Sequence, residues 1–405
     1  MEVKVKYFMK AKKIKIKNKS TCNVCFSEKL KNIWYLPKLP LTEQFGRFDK
    51  KFPSFDQELV FCCVCGHLQL KRIIDPNFLY TFENYNYSTK ISKSTERILK
   101  KFIDFYHRNT KKIKPTSILD IGGNDSLLID KIIKKNIKAY IIDPVAKANN
   151  KNIKVINQIY ENIFLKDHIE KIPNIIICRH TLEHIEKPKE FIFKLLNETE
   201  KRSIFIFEVP SLERMLQMLR FDTIMHQHIN YFDVPTLSFL INSCGGEVIE
   251  AEIYNQGPCG GSILIAFKKK NLAKLKKENQ KLRVKNKLNR IKKNIQLFKS
   301  QIEIIRFKIN ETNEKFYAYG AGLMSANLFY HLNLNLKKIK YIIDDNPTKN
   351  NTSYKNLNLK VKYLVNKNYI KNKNILISSM ENQRIIYNNI SLYHPKNILM
   401  FSNTC

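Results

Sequence analysis

Short apolar runs, each followed by polar or charged residues, recur through the middle of the chain. Five of them occupy residues 117–121, 139–142, 174–178, 203–207 and 263–267. Runs of this length predict buried strands of an α/β sheet. After the first run, Gly122 and Gly123 allow a tight turn into a helical stretch, and the second run ends at Asp143. This order predicts a βαβ unit, preceded by a helix over about residues 92–108.

The chemistry of this glycine turn suits a nucleoside. Glycines let the backbone approach a ligand closely, and an acid after the second strand, here Asp143, can accept hydrogen bonds from both ribose hydroxyls. Sites for NAD and for S-adenosylmethionine (SAM) both use this arrangement, and a βαβ turn without a ligand has the same spacing. On spacing alone, all three interpretations stay open.

A second unit of the same kind lies towards the carboxyl end. The run 316–319 leads into the glycine turn 320–322, and the run 341–343 ends at Asp344. The acid follows the turn by about 20 residues, as a dinucleotide site requires, although Ser325 stands where the third glycine would be. The pattern predicts a further Rossmann-like α/β domain, with NAD as a possible ligand.

A lysine-rich segment over residues 271–310 separates these units. Its apolar residues recur at steps of three and four: Leu288, Ile291, Ile295, Phe298, Ile302, Ile305 and Ile309. This spacing predicts one amphipathic helix whose charges form a solvated face. The apolar face could pack on the central domain or pair with a second copy of the chain.

Composition and charge narrow the class of protein. With 405 residues, 43% of them hydrophobic, the chain can form two or three domain cores. The net charge of +35 comes largely from scattered lysines, so we expect phosphate-bearing substrates rather than nucleic acid as partners. No apolar stretch has the length of a signal peptide core or a membrane span, which predicts a cytoplasmic protein without a membrane partner.

Nine cysteines in a reducing compartment indicate metal binding or packing rather than disulfides. Two C-x2-C pairs supply four thiolates, Cys22, Cys25, Cys62 and Cys65. Two such pairs can surround a zinc ion tetrahedrally and help to fold a small domain, which predicts a structural Zn²⁺ site without a catalytic role. Cys63 and His67 are the possible substitute ligands.

Candidate acid–base residues follow the later strands. His180 and His184 come directly after the run 174–178, where an α/β sheet places its ligands. His226 and His228 lie in a polar and aromatic stretch over residues 221–232, and imidazoles titrate near neutral pH. A further aromatic cluster contains Tyr80, Phe82, Tyr85 and Tyr87. Each of these residues could equally be part of the packing.

The order of these motifs resembles the three-domain SAM-dependent sugar C-methyltransferases, which act on nucleotide-linked keto-deoxysugars. The matching elements are the paired C-x2-C, residues 85–88, 120–125, 143–144, 180–184, 208–210, 221–232 and 260–262. The resemblance implies an α/β protein with a small zinc-binding domain, a central class I methyltransferase sheet and a C-terminal Rossmann-like domain. We place them at residues 1–90, 91–269 and 311–405, with the basic helix at 270–310.

The resemblance also implies roles for individual residues. SAM binding is expected at the glycine turn, the acid after the second strand and their neighbours: Asp120, Gly122, Gly123, Asn124, Asp125, Asp143 and His180. The catalytic pocket is expected to contain Tyr85, Tyr87, His184, His226 and His228. Of these, His228 would be the general base that removes a proton beside the sugar ketone, after which the enolate attacks the SAM methyl group.

The sequence departs from the family pattern near this pocket. Met225 and Gln227 stand where the family has Tyr and Glu, Cys259 replaces a histidine, and Ser126 replaces a glycine. Because Gln227 cannot hold a negative charge beside His228, we expect this histidine to be a weaker base than its family counterpart. O- or N-methylation of a related sugar is therefore an alternative, as is a weakened enzyme. An NAD-dependent sugar-nucleotide oxidoreductase built on the C-terminal turn, and a basic zinc protein that binds nucleic acid, are further alternatives. A monomer and a homodimer are both compatible with the sequence.

Overall fold

The apolar runs become strands of four β-sheets in the computed structural model, which describes residues 14–42, 44–79, 93–133, 137–255, 257–270 and 280–401. Helices cover the larger sheets, so the predicted α/β fold class is confirmed. Among the helices in those ranges, none is both long and apolar enough to pass through a membrane.

The N-terminal part is a small antiparallel sheet with the cysteine pairs in its loops. Its elements are β1 (Ile16–Asn18), β2 (Leu30–Pro40), β3 (Phe45–Gly46), β4 (Ser54–Cys62), β5 (Leu68–Leu70), β6 (Arg72–Ile74) and α1 (Pro76–Leu79). Strands β2, β4 and β5 pair antiparallel, and β1 pairs with β6. Cys22 and Cys25 precede β2, whereas Cys62 ends β4 and Cys65 lies in the turn before β5.

The central part contains the predicted βαβ unit. Its elements are α2 (Lys93–Thr110), β7 (Ser117–Ile121), α3 (Leu127–Ile132), β8 (Lys138–Ile142), β9 (Ile153–Ile156), α4 (Leu165–His168), β10 (Ile175–Arg179), α5 (Pro188–Glu198), β11 (Ile204–Pro210), α6 (Leu212–Gln217), β12 (Asn230–Tyr231), α7 (Val234–Ser243), β13 (Gly246–Tyr254) and β14 (Ser262–Lys269). The five predicted strands correspond to β7, β8, β10, β11 and β14, and the predicted helix corresponds to α2.

The central sheet has the order β13-β14-β11-β10-β7-β8-β9, with β14 antiparallel to its neighbours. Strands β7, β8, β10, β11 and β14 are largely buried on both faces, and their successive side chains point to opposite sides of the sheet. In β10, Ile176 and Cys178 pack with α5 and α7, whereas Ile175 and Ile177 pack with α2 and α3. This arrangement puts the ends of β7, β8, β10 and β11 at one edge of the sheet, where their loops form the candidate site.

The predicted basic helix is α8 (Gln280–Glu311). Its apolar positions from Ile291 to Ile309 are buried, which confirms the amphipathic pattern. They share one core with Leu59 of β4, Leu216 of α6 and Ile339 of the C-terminal part. The apolar face of α8 therefore packs within the chain, against all three parts, rather than on the central domain alone.

The C-terminal part is a second α/β unit. Its elements are β15 (Phe316–Tyr319), α9 (Ser325–Leu332), β16 (Ile339–Ile343), β17 (Ser353–Tyr354), β18 (Leu357–Lys362), β19 (Asn374–Ile377), α10 (Gln383–Ser391) and β20 (Asn397–Leu399). The sheet order is β20-β19-β15-β16-β18-β17-β3, and the first five of these strands are parallel. The second predicted βαβ unit is therefore present.

Two short strands cross the predicted domain boundaries. β3 lies in the N-terminal part but pairs with β17 of the C-terminal sheet. β12 lies in the central part but pairs with β5 and completes the N-terminal sheet. The three parts are therefore joined by backbone hydrogen bonds as well as by the core around α8.

Candidate active site and metal centre

The four predicted zinc ligands lie together. The Sγ atoms of Cys22 and Cys65 are 3.6 Å apart, those of Cys25 and Cys62 are 3.5 Å apart, and all four sulfurs lie within 4.8 Å of one another. Zinc–sulfur bonds of 2.3 Å in a tetrahedron would place sulfurs about 3.8 Å apart. The arrangement fits a four-thiolate zinc site with no open coordination position.

The two possible substitute ligands lie outside this set. Cys63 is exposed, whereas His67 is buried and its Nε2 lies 3.2 Å from Asn230 Oδ1. Burial lowers the pKa of His67 to about 4, so its ring is neutral. His67 therefore connects the N-terminal sheet to β12 rather than to the thiolates.

The glycine turn after β7 is tightly enclosed. Gly122 has a φ of +75°, and a Cβ atom there would lie 1.9 Å from Thr181 Oγ1. A Cβ atom on Gly123 would lie 2.9 Å from an oxygen of Asp120 and from Ile141. Both positions therefore require glycine, and the backbone runs close to the loop after β10.

Two acids flank this turn. Asp143 follows β8, and its carboxylate accepts hydrogen bonds from the backbone N–H groups of Asn124 (3.2 Å) and Val145 (2.8 Å). Asp120 is buried, its Oδ1 has no hydrogen-bond partner, and burial raises its pKa to about 7. Asp125, at the end of the turn, forms a β-bridge with Lys147. An unpaired buried oxygen beside a glycine turn fits a ligand that brings its own donor, as the amino group of SAM would.

A charged cluster follows β10 and β11. Glu208 accepts a hydrogen bond from Arg179 Nε at 2.7 Å and lies 3.3 Å from His180 Nε2. His180 Nδ1 lies 3.6 Å from Glu183 on its other side. Burial opposes the charged imidazole, but the two carboxylates outweigh it and raise the pKa of His180 to about 9. His180 is therefore a cation at neutral pH and is unsuited to act as a base.

His184 and His228 face each other beside this cluster. Their ring centroids are 4.9 Å apart, and His184 Nδ1 donates to the backbone oxygen of Gln227 at 2.9 Å. Burial, together with the neighbouring His184 and His180, places the pKa of His228 well below its usual range. His228 is consequently neutral, and the lowered pKa makes it a weaker base than a free imidazole. It also lines a small cavity with Thr223, Tyr231 and Cys259.

The structure does not bring His226 to this pair. Its Nε2 donates to the backbone oxygen of Leu39 at 3.0 Å, and its Nδ1 lies 3.2 Å from the amide nitrogen of Gln57. Both ring nitrogens therefore bind the N-terminal part. The side-chain oxygen of Gln227 and the sulfur of Met225 lie 3.4 Å and 3.3 Å from the hydroxyl of Thr42.

The C-terminal glycine turn makes close contacts with neighbouring parts of the chain. Asp344 accepts from the backbone N–H of Ala321 at 2.8 Å and pairs with Lys349 at 3.2 Å. A Cβ atom on Gly320 would lie 2.6 Å from Ser379. Ser325, at the position of the expected third glycine, donates to the backbone oxygen of Ser378. Asp344 and Ser325 of this turn are therefore both engaged by neighbouring parts of the chain.

Three charged residues of the site were not among the predicted site residues. Arg179, Glu183 and Glu208 lie at or after the ends of β10 and β11, and both carboxylates are buried. Their position at the carboxyl ends of neighbouring strands could have identified them as site residues from the sequence. Tyr85 and Tyr87, which the resemblance places in the catalytic pocket, lie outside the described residues.

Three family models match successive segments of the chain. Residues 22–80 match a family described as a putative zinc binding domain, residues 93–251 match a methyltransferase domain, and residues 259–372 match a C-methyltransferase C-terminal domain. The three matches follow the order of the N-terminal sheet, the central sheet and the C-terminal sheet.

Among curated proteins, the chain is similar to the C-methyltransferase NovU of Streptomyces niveus, with 23% identity over 220 residues. The match covers 52% of this chain and 51% of NovU, so the chain spans about half the length of this relative. Among solved structures, it is similar to the N-methyltransferase NodS of Bradyrhizobium japonicum (11% identity, 44% of this chain, 97% of NodS, TM-score 0.33). A SAM-dependent methyltransferase of Clostridium acetobutylicum matches at 11% identity, over 43% of this chain and 92% of its own, with a TM-score of 0.33.

Proposed function

We propose that this chain, which has the domain organisation of the three-domain SAM-dependent C-methyltransferases, methylates a carbon atom beside the ketone of a nucleotide-linked deoxysugar. The observation that carries the proposal is the C-methyltransferase C-terminal domain match, joined in one chain to a methyltransferase domain and a zinc-binding domain. The similarity to NovU supports C-methylation as the reaction. The nucleotide-linked acceptor rests on the resemblance of the motifs and on the positive charge of the chain.

The methyl donor would be held at the glycine turn after β7. Gly122 and Gly123 allow the backbone to approach it, and Asp143 would accept hydrogen bonds from its ribose. Asp120, with its unpaired Oδ1, would accept from its amino group, and Asn124, Asp125 and His180 would line the same site. Bound SAM supplies an electrophilic methyl group.

His228 is proposed as the general base. Its ring is buried and neutral, so it would take the acidic proton beside a ketone. The enolate carbon would then bond to the methyl group while the methyl–sulfur bond of SAM breaks and SAH leaves. His184 is fixed by its bond to the Gln227 oxygen and forms the opposite wall. His226 acts as a positioning residue, since it anchors the loop of His228 to the N-terminal part. Tyr85 and Tyr87 stay proposed pocket residues.

The experiment that tests this proposal measures exchange of the substrate proton beside the ketone with solvent deuterium. The full-length zinc-loaded protein, saturated with S-adenosylhomocysteine (SAH), is incubated in D2O with a panel of nucleotide-linked keto-deoxysugars. Proton NMR should show exchange at the carbon beside the ketone of one panel member, and SAM should then methylate that carbon. Methylation on oxygen or nitrogen without carbon exchange would contradict C-methylation and favour the O- or N-methyltransferase alternative.

A further inference from the structure

The side chains of Glu183, His184 and the proposed base His228 converge, and the methyl-transfer proposal gives Glu183 no role. One oxygen of Glu183, one ring nitrogen of His184 and one ring nitrogen of His228 lie within 4.8 Å of one another. The His184 Nε2 to Glu183 Oε1 distance is 3.8 Å. A first-row divalent metal with bonds of about 2.1 Å holds such atoms roughly 3.0–3.5 Å apart, so small side-chain rotations would complete the site.

The carboxylate of Glu183 points independently to a cation. Glu183 is only 1% exposed, and neither of its carboxylate oxygens has a hydrogen-bond partner. Buried carboxylates are usually hydrogen-bonded, paired or coordinated to a metal, because an unsatisfied buried charge is costly. His180 approaches one oxygen no closer than 3.6 Å and is shared with Glu208. Glu183 therefore keeps coordination capacity on the side of the two histidines.

His184 already has the orientation of a metal ligand. Its Nδ1 donates to the backbone oxygen of Gln227 at 2.9 Å, and its Nε2 lies 3.8 Å from Glu183 Oε1. A ligating histidine in proteins commonly donates its other N–H to a backbone carbonyl or a carboxylate, which fixes the tautomer. The Gln227 oxygen thus gives His184 the supporting contact that such sites have.

From these contacts we infer that Glu183, His184 and His228 form a site for a divalent transition-metal ion, separate from the four thiolates. Two imidazoles and one carboxylate suit Zn²⁺, Fe²⁺ or Co²⁺ better than Mg²⁺, which prefers oxygen ligands. A metal ion bound to His228 takes the lone pair that proton removal needs. A metal ion in this site therefore prevents His228 from acting as the general base. This consequence rests on the proposed function.

The test titrates the SAH-saturated, zinc-loaded, full-length protein with Co²⁺ and measures bound metal and visible absorption. We expect a second metal equivalent with weak d–d bands from nitrogen and oxygen ligands. Intense thiolate-to-cobalt bands, which would indicate exchange at the cysteines, should be absent. Glu183→Gln should weaken this binding by more than about 100-fold, since it removes a direct ligand. His107→Gln, at an exposed histidine of α2, should leave it unchanged.

Cobalt-edge X-ray absorption can be measured on the wild-type protein and therefore needs no variant. It should detect scattering from imidazole ligands of the bound cobalt. Binding of zinc alone at the cysteines, or a second equivalent that survives in a folded Glu183→Gln variant, would overturn the metal site. Turnover that is unchanged at full cobalt occupancy would overturn the block of His228. The number of metal ions bound per chain shows whether this second site exists, even if the protein proves not to be a C-methyltransferase.

Discussion

Burial and neighbouring charges together set the protonation of individual residues around the glycine turn. Asp120 has a pKa raised to about 7, His180 has a pKa raised to about 9 by its two carboxylates against the effect of burial, and His228 is held neutral. The sequence placed Asp120 and His180 near the carboxyl ends of strands, and the resemblance to the C-methyltransferases added His228 to the pocket. It could not predict their charges, since those depend on partners such as Glu208 that lie on another strand.

His228→Ala should abolish turnover and leave donor binding intact. The imidazole lies on the acceptor side, and loss of a general base costs typically ~10²–10⁴ in rate. Turnover by methyl transfer and SAH affinity by calorimetry are measured side by side, with His107→Ala as the exposed control. Wild-type turnover in the variant would make His228 a structural residue.

Asp120 should make the unliganded protein less stable as pH rises. Its folded pKa of about 7 exceeds the unfolded value of 3.8, so the folded state binds the extra proton between these two pH values. Ionisation of Asp120 therefore lowers the free energy of unfolding. The loss is absent below pH 3.8 and complete above pH 7, where it reaches about 4 kcal/mol. Asp120→Asn should therefore gain stability relative to wild type between pH 4 and pH 8.

Urea unfolding of both proteins over this pH range measures the difference. Asp104→Asn, at an exposed aspartate of α2, provides the control and should track the wild type. A pH-independent difference between Asp120→Asn and wild type would show that the buried carboxyl titrates normally.

At the scale of elements, the sequence correctly predicted those strands and helices whose hydrophobic pattern lies within one continuous segment. The runs that became β7, β8 and β10 are buried on both faces, and α8 has apolar residues at helical spacing. The strands β3 and β12 contain only two residues each, and their pairing depends on partners far away in sequence. A local pattern does not contain that information, so these strands could not be predicted.

Neighbouring isoleucines of α8 should differ sharply in their contribution to stability. Ile305 is 5% exposed and packs in the shared core, whereas Ile304 is 56% exposed. Ile305→Ala should lower the free energy of unfolding by about 2–5 kcal/mol, because it leaves a cavity. Ile304→Ala should change it by less than about 0.5 kcal/mol. Equal effects in chemical denaturation would mean that α8 is not packed by this face.

At the scale of the whole molecule, the N-terminal part and the candidate site depend on each other. β12 pairs with β5, His226 binds Gln57 and the Leu39 oxygen, and both adjoin the loop that holds His228. The sequence predicted the zinc ligands from their spacing. It did not reveal that the sheet they stabilise also supports the proposed base, because that support comes from tertiary contacts.

Removal of zinc should therefore reduce turnover although zinc takes no part in the chemistry. Structural zinc contributes on the order of 10 kcal/mol to the folding of small domains, so a strong chelator or Cys62→Ser should unfold the N-terminal sheet and release the His228 loop. Zinc content, circular dichroism and turnover are measured together, with Cys63→Ser as the matched control. Full turnover in protein shown to lack zinc would contradict this coupling.

Calorimetric titration of the zinc-loaded protein with SAH, beside NADH, tests directly whether the turn after β7 binds the methyl donor. Asp143→Ala and Asp344→Ala form a matched pair, since each removes the acid that follows the second strand of a βαβ unit and bonds to its glycine turn. We expect saturable SAH binding that is lost in Asp143→Ala and kept in Asp344→Ala. NADH binding that is lost in Asp344→Ala, with no SAH binding, would contradict this expectation and move the cofactor site to the C-terminal sheet.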